Sequence, residues 1–212
     1  MALVFEHRAD LDPARVAVFP GAWNPPTVAH EAIARATLQW ADEVVWILPR
    51  VFPHKTFEGA TFDARRRMLR ELAKSGKQFS AAVSDGNLHY EIAAEARAAY
   101  PHSAEVALVC GRDAVERIAT WDYGRPGVFE DLVSAHPILV AARRGEYQAA
   151  EGFERRIIPL DLGGDFDEIS STVIRQRIAE GGDWRHLVPG VIAEIVAETY
   201  GEPRKSNPQF PE

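Results

Sequence analysis

Six short runs along the chain are apolar and rich in β-branched residues, and each is bounded by polar or turn-forming positions: RVAVFP at 15–20, EVVWILP at 43–49, QFSAAVS at 78–84, AEVALVC at 104–110, HPILVAA at 136–142 and RRIIPLD at 155–161. Continuous apolar runs of this length predict strands buried on both faces. Between them, VAHEAIARATLQWA, TFDARRRMLRELAKSG, LHYEIAAEARAAYP and RDAVERIATW repeat their apolar positions three and four apart, the period of a helix. Strand and helix therefore alternate. That alternation predicts an α/β fold with a doubly wound parallel sheet, covered by helices on both faces and offering ligand sites at the carboxyl ends of its strands. After the last strand, SSTVIRQRIAEGG and PGVIAEIVAETYG predict two C-terminal helices, stopped at Gly181-Gly182 and at Gly201. Residues 202–212, EPRKSNPQFPE, read as a loose tail.

Composition narrows this picture only slightly. A chain of 212 residues fits one domain over 1–212, with its core at about 15–200. The apolar share of 46% and charged share of 26% are those of a globular protein, which disfavours disordered and collagen-like classes. A formal net charge of -7 gives no broad basic field, so nucleic acid is not an expected partner, while a small anionic ligand in a local pocket is compatible with it. The single cysteine, Cys110, excludes an intrachain disulfide and a cysteine-built zinc site, and fits a reducing cytoplasm. Placed at the end of an apolar run, it reads as a small buried hydrophobe rather than a nucleophile. No stretch approaches the roughly 18 apolar residues of a membrane span. A soluble cytoplasmic protein without a membrane partner is expected; homo-oligomerisation and the role of the first ten residues stay open.

The chemistry begins where the first strand ends, in VAVFPGAWNPPTVAH at 16–30. Gly21 lets the backbone turn sharply or approach a ligand, Pro25 and Pro26 hold an extended approach, and Thr27 can cap a helix whose first turn carries His30. Thr27 and His30, three apart, share one face of that turn. A helix start at the carboxyl edge of a sheet binds phosphate through its unpaired amides and dipole. A capped helix with a satisfied histidine is the plain alternative. The stretch is not a Walker loop, because no Gly-Lys-Ser/Thr follows, and the chain has no G-x-G-x-x-G.

A second candidate lies in EISSTVIRQRIAEGGD, where Ser170, Ser171 and Thr172 gather at a predicted helix start and Arg175 stands on its first turn. Hydroxyls, amides and a guanidinium in one small volume suit a polyphosphate. A serine cap beside an exposed arginine reads equally well. Lys55, with His54 in FPHKTF, follows the second strand at the sheet's reactive edge, as an acceptor-phosphate contact or a solvated lysine. Arg65, Arg66 and Arg67 read as a charged helix face. Asp113 in GRD closes the fourth strand and can accept from a ribose hydroxyl or cap the next helix.

The segments GAWNPPTVAH and ISSTVIR, in this order, resemble the nucleotidylyltransferase superfamily, with its [T/H]-x-G-H and I-S-S-T-x-x-R motifs. FPHK, ARRRMLRELA and VCGRDAVERIATW extend the resemblance over about residues 15–200 and point to the bacterial nicotinate-nucleotide adenylyltransferases. Two positions depart from that pattern. Thr27 stands where most nicotinate-nucleotide enzymes carry His, as in the pantetheine-phosphate branch, and Ala29 replaces the motif's Gly.

The resemblance implies a Rossmann-like fold of the adenine nucleotide α-hydrolase-like or nucleotidylyltransferase type. It implies AMP transfer from ATP, with Mg2+ on the triphosphate, to a phosphorylated acceptor. Nicotinate mononucleotide is the favoured acceptor, giving nicotinate adenine dinucleotide in NAD biosynthesis. Nicotinamide mononucleotide, phosphopantetheine and a nucleotide-binding sensor without turnover are the alternatives. In this scheme His30 donates to the α-phosphate and Thr27 holds a neighbouring oxygen. Ser170, Ser171, Thr172 and Arg175 hold the outer phosphates, and Gly21, Trp23, Asn24, Gly111, Asp113 and Ile169 complete the ATP site. The resemblance places Trp121 near the acceptor's ring, and Tyr123 overhangs the site beside it. Core packing explains Trp121 as well. Backbone N–H groups around Gly124 to Gly127 are the expected donors to a ring carboxylate.

Overall fold

The computed structural model describes residues 2–51, 59–142, 147–149 and 151–201. Its elements run β1 (Val4–His7), β2 (Arg15–Pro20), α1 (Val28–Thr37), β3 (Glu43–Pro49), α2 (Phe62–Lys74), β4 (Phe79–Ser84), α3 (His89–Ala99), β5 (Glu105–Gly111), α4 (Arg112–Thr120), α5 (Val128–Ala135), β6 (Ile138–Ala141), β7 (Ile157–Leu160), α6 (Ser171–Ala179) and α7 (Ala193–Tyr200), with single 3₁₀ turns at Arg185–Leu187 and Gly190–Ile192. The six expected strands are all present, two of them with both ends at their expected bounds and the last two shortened. Loss at the ends of β7 follows from its polar flanks Arg155 and Asp161, which face solvent.

The strands form one seven-stranded sheet in the order β1-β4-β3-β2-β5-β6-β7. From β2 to β7 every pairing is parallel. The chain winds outward from β2 through β3 to β4, returns, and continues from β5 on the other side of β2. That reversal leaves a crevice beyond the carboxyl ends of β2 and β5, the place where such sheets bind ligands.

Alternate side chains of each strand enter different cores. Ala17 and Phe19, with Trp46, Leu48 and Phe79, pack beneath α1, α2, α6 and α7. Val16 and Val18, with Val45, Ile47 and Leu108, pack beneath α3, α4 and α5. Both faces are dry, which is why these strands read as continuous apolar runs.

The first strand was not among the six expected: β1 pairs antiparallel with β4 at the edge of the parallel sheet, with Phe5 opposite Ala82. Side-chain bonds hold it there. Glu6 accepts from Arg66 at 2.6 Å and from Arg70 at 2.7 Å, and the Arg8 guanidinium lies 4.6 Å from the Phe5 ring centroid. Ala9 N–H donates to Ser80 Oγ at 2.8 Å. Ser80 and Tyr100 in turn donate to the buried Glu43 carboxylate. The opening residues thus cover the sheet edge that β4 would otherwise expose. Helix α5, absent from the expected set, follows Gly127, whose φ of 81° an L side chain rarely adopts. Among the described residues no helix is long and apolar enough to cross a membrane.

Candidate active site

The chain leaves β2 through Gly21, whose N–H donates to Ile47 O at 3.0 Å and prolongs the β2–β3 ladder by one bond. A Cβ at Gly21 would lie 2.7 Å from the Trp23 ring, so only glycine fits beneath that indole. Trp23 itself holds a positive φ of 53°. Its Nε1–H donates to Ile47 O at 2.7 Å, and its ring meets Phe19, Trp46 and His30 edge to face. Packing and one hydrogen bond over-determine a backbone state that a non-glycine residue otherwise avoids.

Thr27 caps α1, and the cap is reciprocal. His30 N–H donates to Thr27 Oγ1 at 3.2 Å, while Thr27 N–H donates to His30 Nδ1 at 3.1 Å. Because Nδ1 accepts from a backbone donor, the hydrogen-bond network assigns the neutral ring its proton on Nε2. Thr27 is fully buried, and its hydroxyl lies 2.9 Å from the same Nδ1. Thr27 thus positions the imidazole of His30. Ala29 is buried in the helix and is not part of the pocket wall, so its methyl does not obstruct a ligand.

His30 lines a cleft of about 260 Å³ together with Phe19, Pro20, Gly21, Trp23, Ile33, Cys110, Gly111, Arg112 and Asp113. The cleft spans the crevice between β2 and β5. Gly111 is the N-cap of α4 and Asp113 stands within its first turn without capping it, so the capping alternative for Asp113 is not what the structure shows. The uncapped start of α4 leaves backbone amides at the cleft wall. Burial pushes the Cys110 thiol up to about 12, in keeping with a small hydrophobe.

Helix α6 docks on the loop between Gly21 and Thr27. Ser171 Oγ donates to Pro25 O at 2.7 Å, and Arg175 Nη1 donates to Asn24 O at 2.7 Å. Ser170 caps α6 by accepting from Val173 N–H, and Thr172 Oγ1, exposed, accepts from Arg175 Nη2 at 3.3 Å. Ile169 packs against the core just before that cap. Two stretches about 150 residues apart are thus joined by side chains of the second and backbone carbonyls of the first.

Asn24, Arg65 and Tyr200 also meet this junction, and of these Tyr200 was not singled out from the sequence. Asn24 Oδ1 accepts from Tyr200 OH at 2.6 Å and from Ala60 N–H at 3.2 Å, so this oxygen ties the loop to α7 and to the chain before α2. Arg65, largely buried, donates to Ala22 O at 3.3 Å. Burial lowers its pKa from the usual value and raises that of Tyr200. Only an arginine's fixed charge tolerates such a place. Tyr200→Phe is expected to lower the melting temperature by about 2–4 °C, the scale of one hydrogen bond worth about 1 kcal/mol in a chain of this size. An unchanged melting curve would show that the Tyr200–Asn24 bond adds nothing.

Trp121 and Tyr123 line a separate slot with Asn87, Leu88, His89, Ala114, Arg117 and Ile118. Tyr123 OH donates to Ile118 O at 2.9 Å, and its ring meets Tyr90 at 5.7 Å. Lys55 and His54 lie outside the described residues, as does the tail after residue 201.

A family model for cytidylyltransferase-like proteins matches residues 18–177. A probable nicotinate-nucleotide adenylyltransferase of Exiguobacterium sibiricum is 28% identical over 192 residues, covering 87% of this chain and 96% of that relative. One from Anaeromyxobacter dehalogenans is 30% identical over 193 residues, covering 86% and 94%. Among solved structures, Plasmodium falciparum nicotinic acid mononucleotide adenylyltransferase complexed with NaAD superposes with a TM-score of 0.65 at 17% identity, over 87% of this chain and 95% of that one.

Proposed function

The chain belongs to the cytidylyltransferase-like family, and from that premise we propose that it transfers AMP from ATP to nicotinate mononucleotide, releasing pyrophosphate and forming nicotinate adenine dinucleotide. The observation that carries this reading is the docking of α6 on the Asn24–Pro25 loop. Ser171 and Arg175 hold the carbonyls of Pro25 and Asn24 in the loop that leads into α1 and His30.

In the reaction a phosphate oxygen of the acceptor attacks the α-phosphorus of ATP, and the bond from that phosphorus to the pyrophosphate oxygen breaks. No covalent enzyme intermediate is needed, so the protein contributes position and charge stabilisation. His30, with Nδ1 held by Thr27, points its Nε2–H donor at the α-phosphate oxygens as negative charge builds there. Arg175, Thr172 and the amides of the α6 start take the β- and γ-phosphates. Gly21 and Gly111 let the backbone close around the nucleotide, and Asp113 accepts from the ribose. Trp121 and Tyr123 offer flat faces to the pyridine ring.

Magnesium belongs to the nucleotide in this scheme. The donor set fits that role: Asp113 is the one carboxylate lining the cleft, and among the described residues no cluster of His, Cys, Asp and Glu could hold a metal ion by itself. An ion held by phosphate oxygens and water supplies charge neutralisation of the triphosphate.

The test is pyrophosphate release from ATP and magnesium with nicotinate mononucleotide, nicotinamide mononucleotide or phosphopantetheine as acceptor. The expected result is the highest kcat/KM with a pyridine nucleotide, nicotinate first. A preference for phosphopantetheine overturns the acceptor, and ATP binding without turnover on any acceptor supports a sensor instead.

A further inference from the structure

Trp23, the one non-glycine residue at a positive φ among those described, has no part in the scheme above. Resting on that scheme, we propose that Trp23 is a positioning residue for the reaction: its indole packs on the His30 imidazole and, with the Thr27 cap, fixes the direction in which the Nε2–H donor points.

The indole is tied to the sheet. Its Nε1–H donates to Ile47 O at 2.7 Å, the same carbonyl that accepts from Gly21 N–H at 3.0 Å. Ile47 is fully buried in β3, where close packing makes it a rigid anchor. The chain folds back at Trp23, with a φ of 53°, to bring the indole to that carbonyl. Bulky side chains rarely take this backbone state, and residues held in it gather at functional sites whose surroundings over-determine them.

The anchored ring meets His30 at a centroid distance of 5.2 Å and an interplanar angle of 76°. Trp46 and Phe19, each 5.0 Å away and edge to face, hold it from the core side. Only 2% of Trp23 is exposed, so its contacts are to protein and little of the ring is left for a nucleotide. Thr27 N–H holds one corner of the imidazole, at Nδ1, but the broad χ2 preference of histidine still lets the ring tilt about its Cβ–Cγ bond. An aromatic ring packed edge to face limits that tilt. Tilt matters because a hydrogen bond weakens steeply off its axis, and a misplacement of about 1 Å costs about 10²-fold in rate. A rigid strand is thus linked through one indole to the proposed donor.

Pyrophosphate release would be measured for the wild type, Trp23→Leu and Trp23→Phe, and for each of the three combined with His30→Asn. Trp23→Leu is expected to lower kcat by about 10- to 100-fold with KM for ATP within about 2-fold, and Trp23→Phe, which keeps an aromatic edge, to lower it less. In the His30→Asn background neither substitution should lower kcat further, because the group they position is gone. Melting temperature should fall equally in both backgrounds, which separates packing from positioning. An equal loss of kcat in both backgrounds, or a rise in KM for ATP alone, overturns the assignment. If the leucine variant does not fold, the phenylalanine cycle decides on the same terms. The His30 ring resonance, identified by its absence in His30→Asn, gives a readout that needs no turnover. It is expected to broaden in the Trp23 variants as the ring samples several tilts, and a line as narrow as the wild type's overturns the placement. A wild type that turns over no acceptor removes the proposed function, while that resonance still decides the role of Trp23.

Discussion

Replacing His30 with alanine is expected to cut kcat by about 10²–10³-fold while leaving KM for ATP near its starting value. The imidazole acts on charge that develops only in the transition state, so its loss reaches the chemical step rather than ground-state binding. The same side chain also closes the cap of α1 by accepting from Thr27 N–H at 3.1 Å. Alanine therefore costs on the order of 1 kcal/mol of stability as well. Asparagine separates the two roles, because its Oδ1 can replace Nδ1 as the acceptor while nothing replaces the distal N–H. His30→Asn should melt close to the wild type and still lose most turnover. Pyrophosphate release read beside a melting curve checks this. Either variant turning over at near wild-type rate would remove His30 from the chemistry.

The parts of this fold that were legible in sequence are those whose physics is local. Buried parallel strands must be apolar on both faces, so RVAVFP and EVVWILP announced themselves at their observed bounds, and their alternation with helices implied the crevice at Gly21 and Gly111. Strand β1 did not, because four residues carrying Glu6 and His7 show no apolar run. What fixes it is a pair of arginines on α2, about 60 residues on. The site divides in the same way. Thr27 and His30 stand one turn apart, and their turn chemistry could be read directly, but the burial that sets the Thr27 hydroxyl against the imidazole is tertiary. Tyr200 lies 176 residues from Asn24, and in sequence it stood only beside the helix stop at Gly201. Arg65 looked like one of three arginines on a solvated face until α2 turned it inward against Ala22 O.

Arg175→Ala is expected to weaken ATP binding by about 10²-fold or more and AMP binding far less. The guanidinium has five N–H donors, of which one goes to Asn24 O at 2.7 Å and another to Thr172 Oγ1 at 3.3 Å. Those remaining are proposed to meet the outer phosphates, which AMP lacks. The contact to Asn24 O adds a second effect, since losing it loosens the loop that carries Thr27 and, through it, the His30 ring. The two effects separate by measurement. Calorimetry with ATP and with AMP reports the phosphate contact as a difference between the ligands, whereas a loosened loop lowers kcat at saturating ATP. Arg175→Lys keeps the charge but lacks the planar fork, so it cannot hold Asn24 O and a phosphate in one geometry. It should recover part of the ATP affinity and little of kcat. Equal weakening for ATP and AMP in the alanine variant would move Arg175 off the β- and γ-phosphates, and leave it as a strut between α6 and the loop.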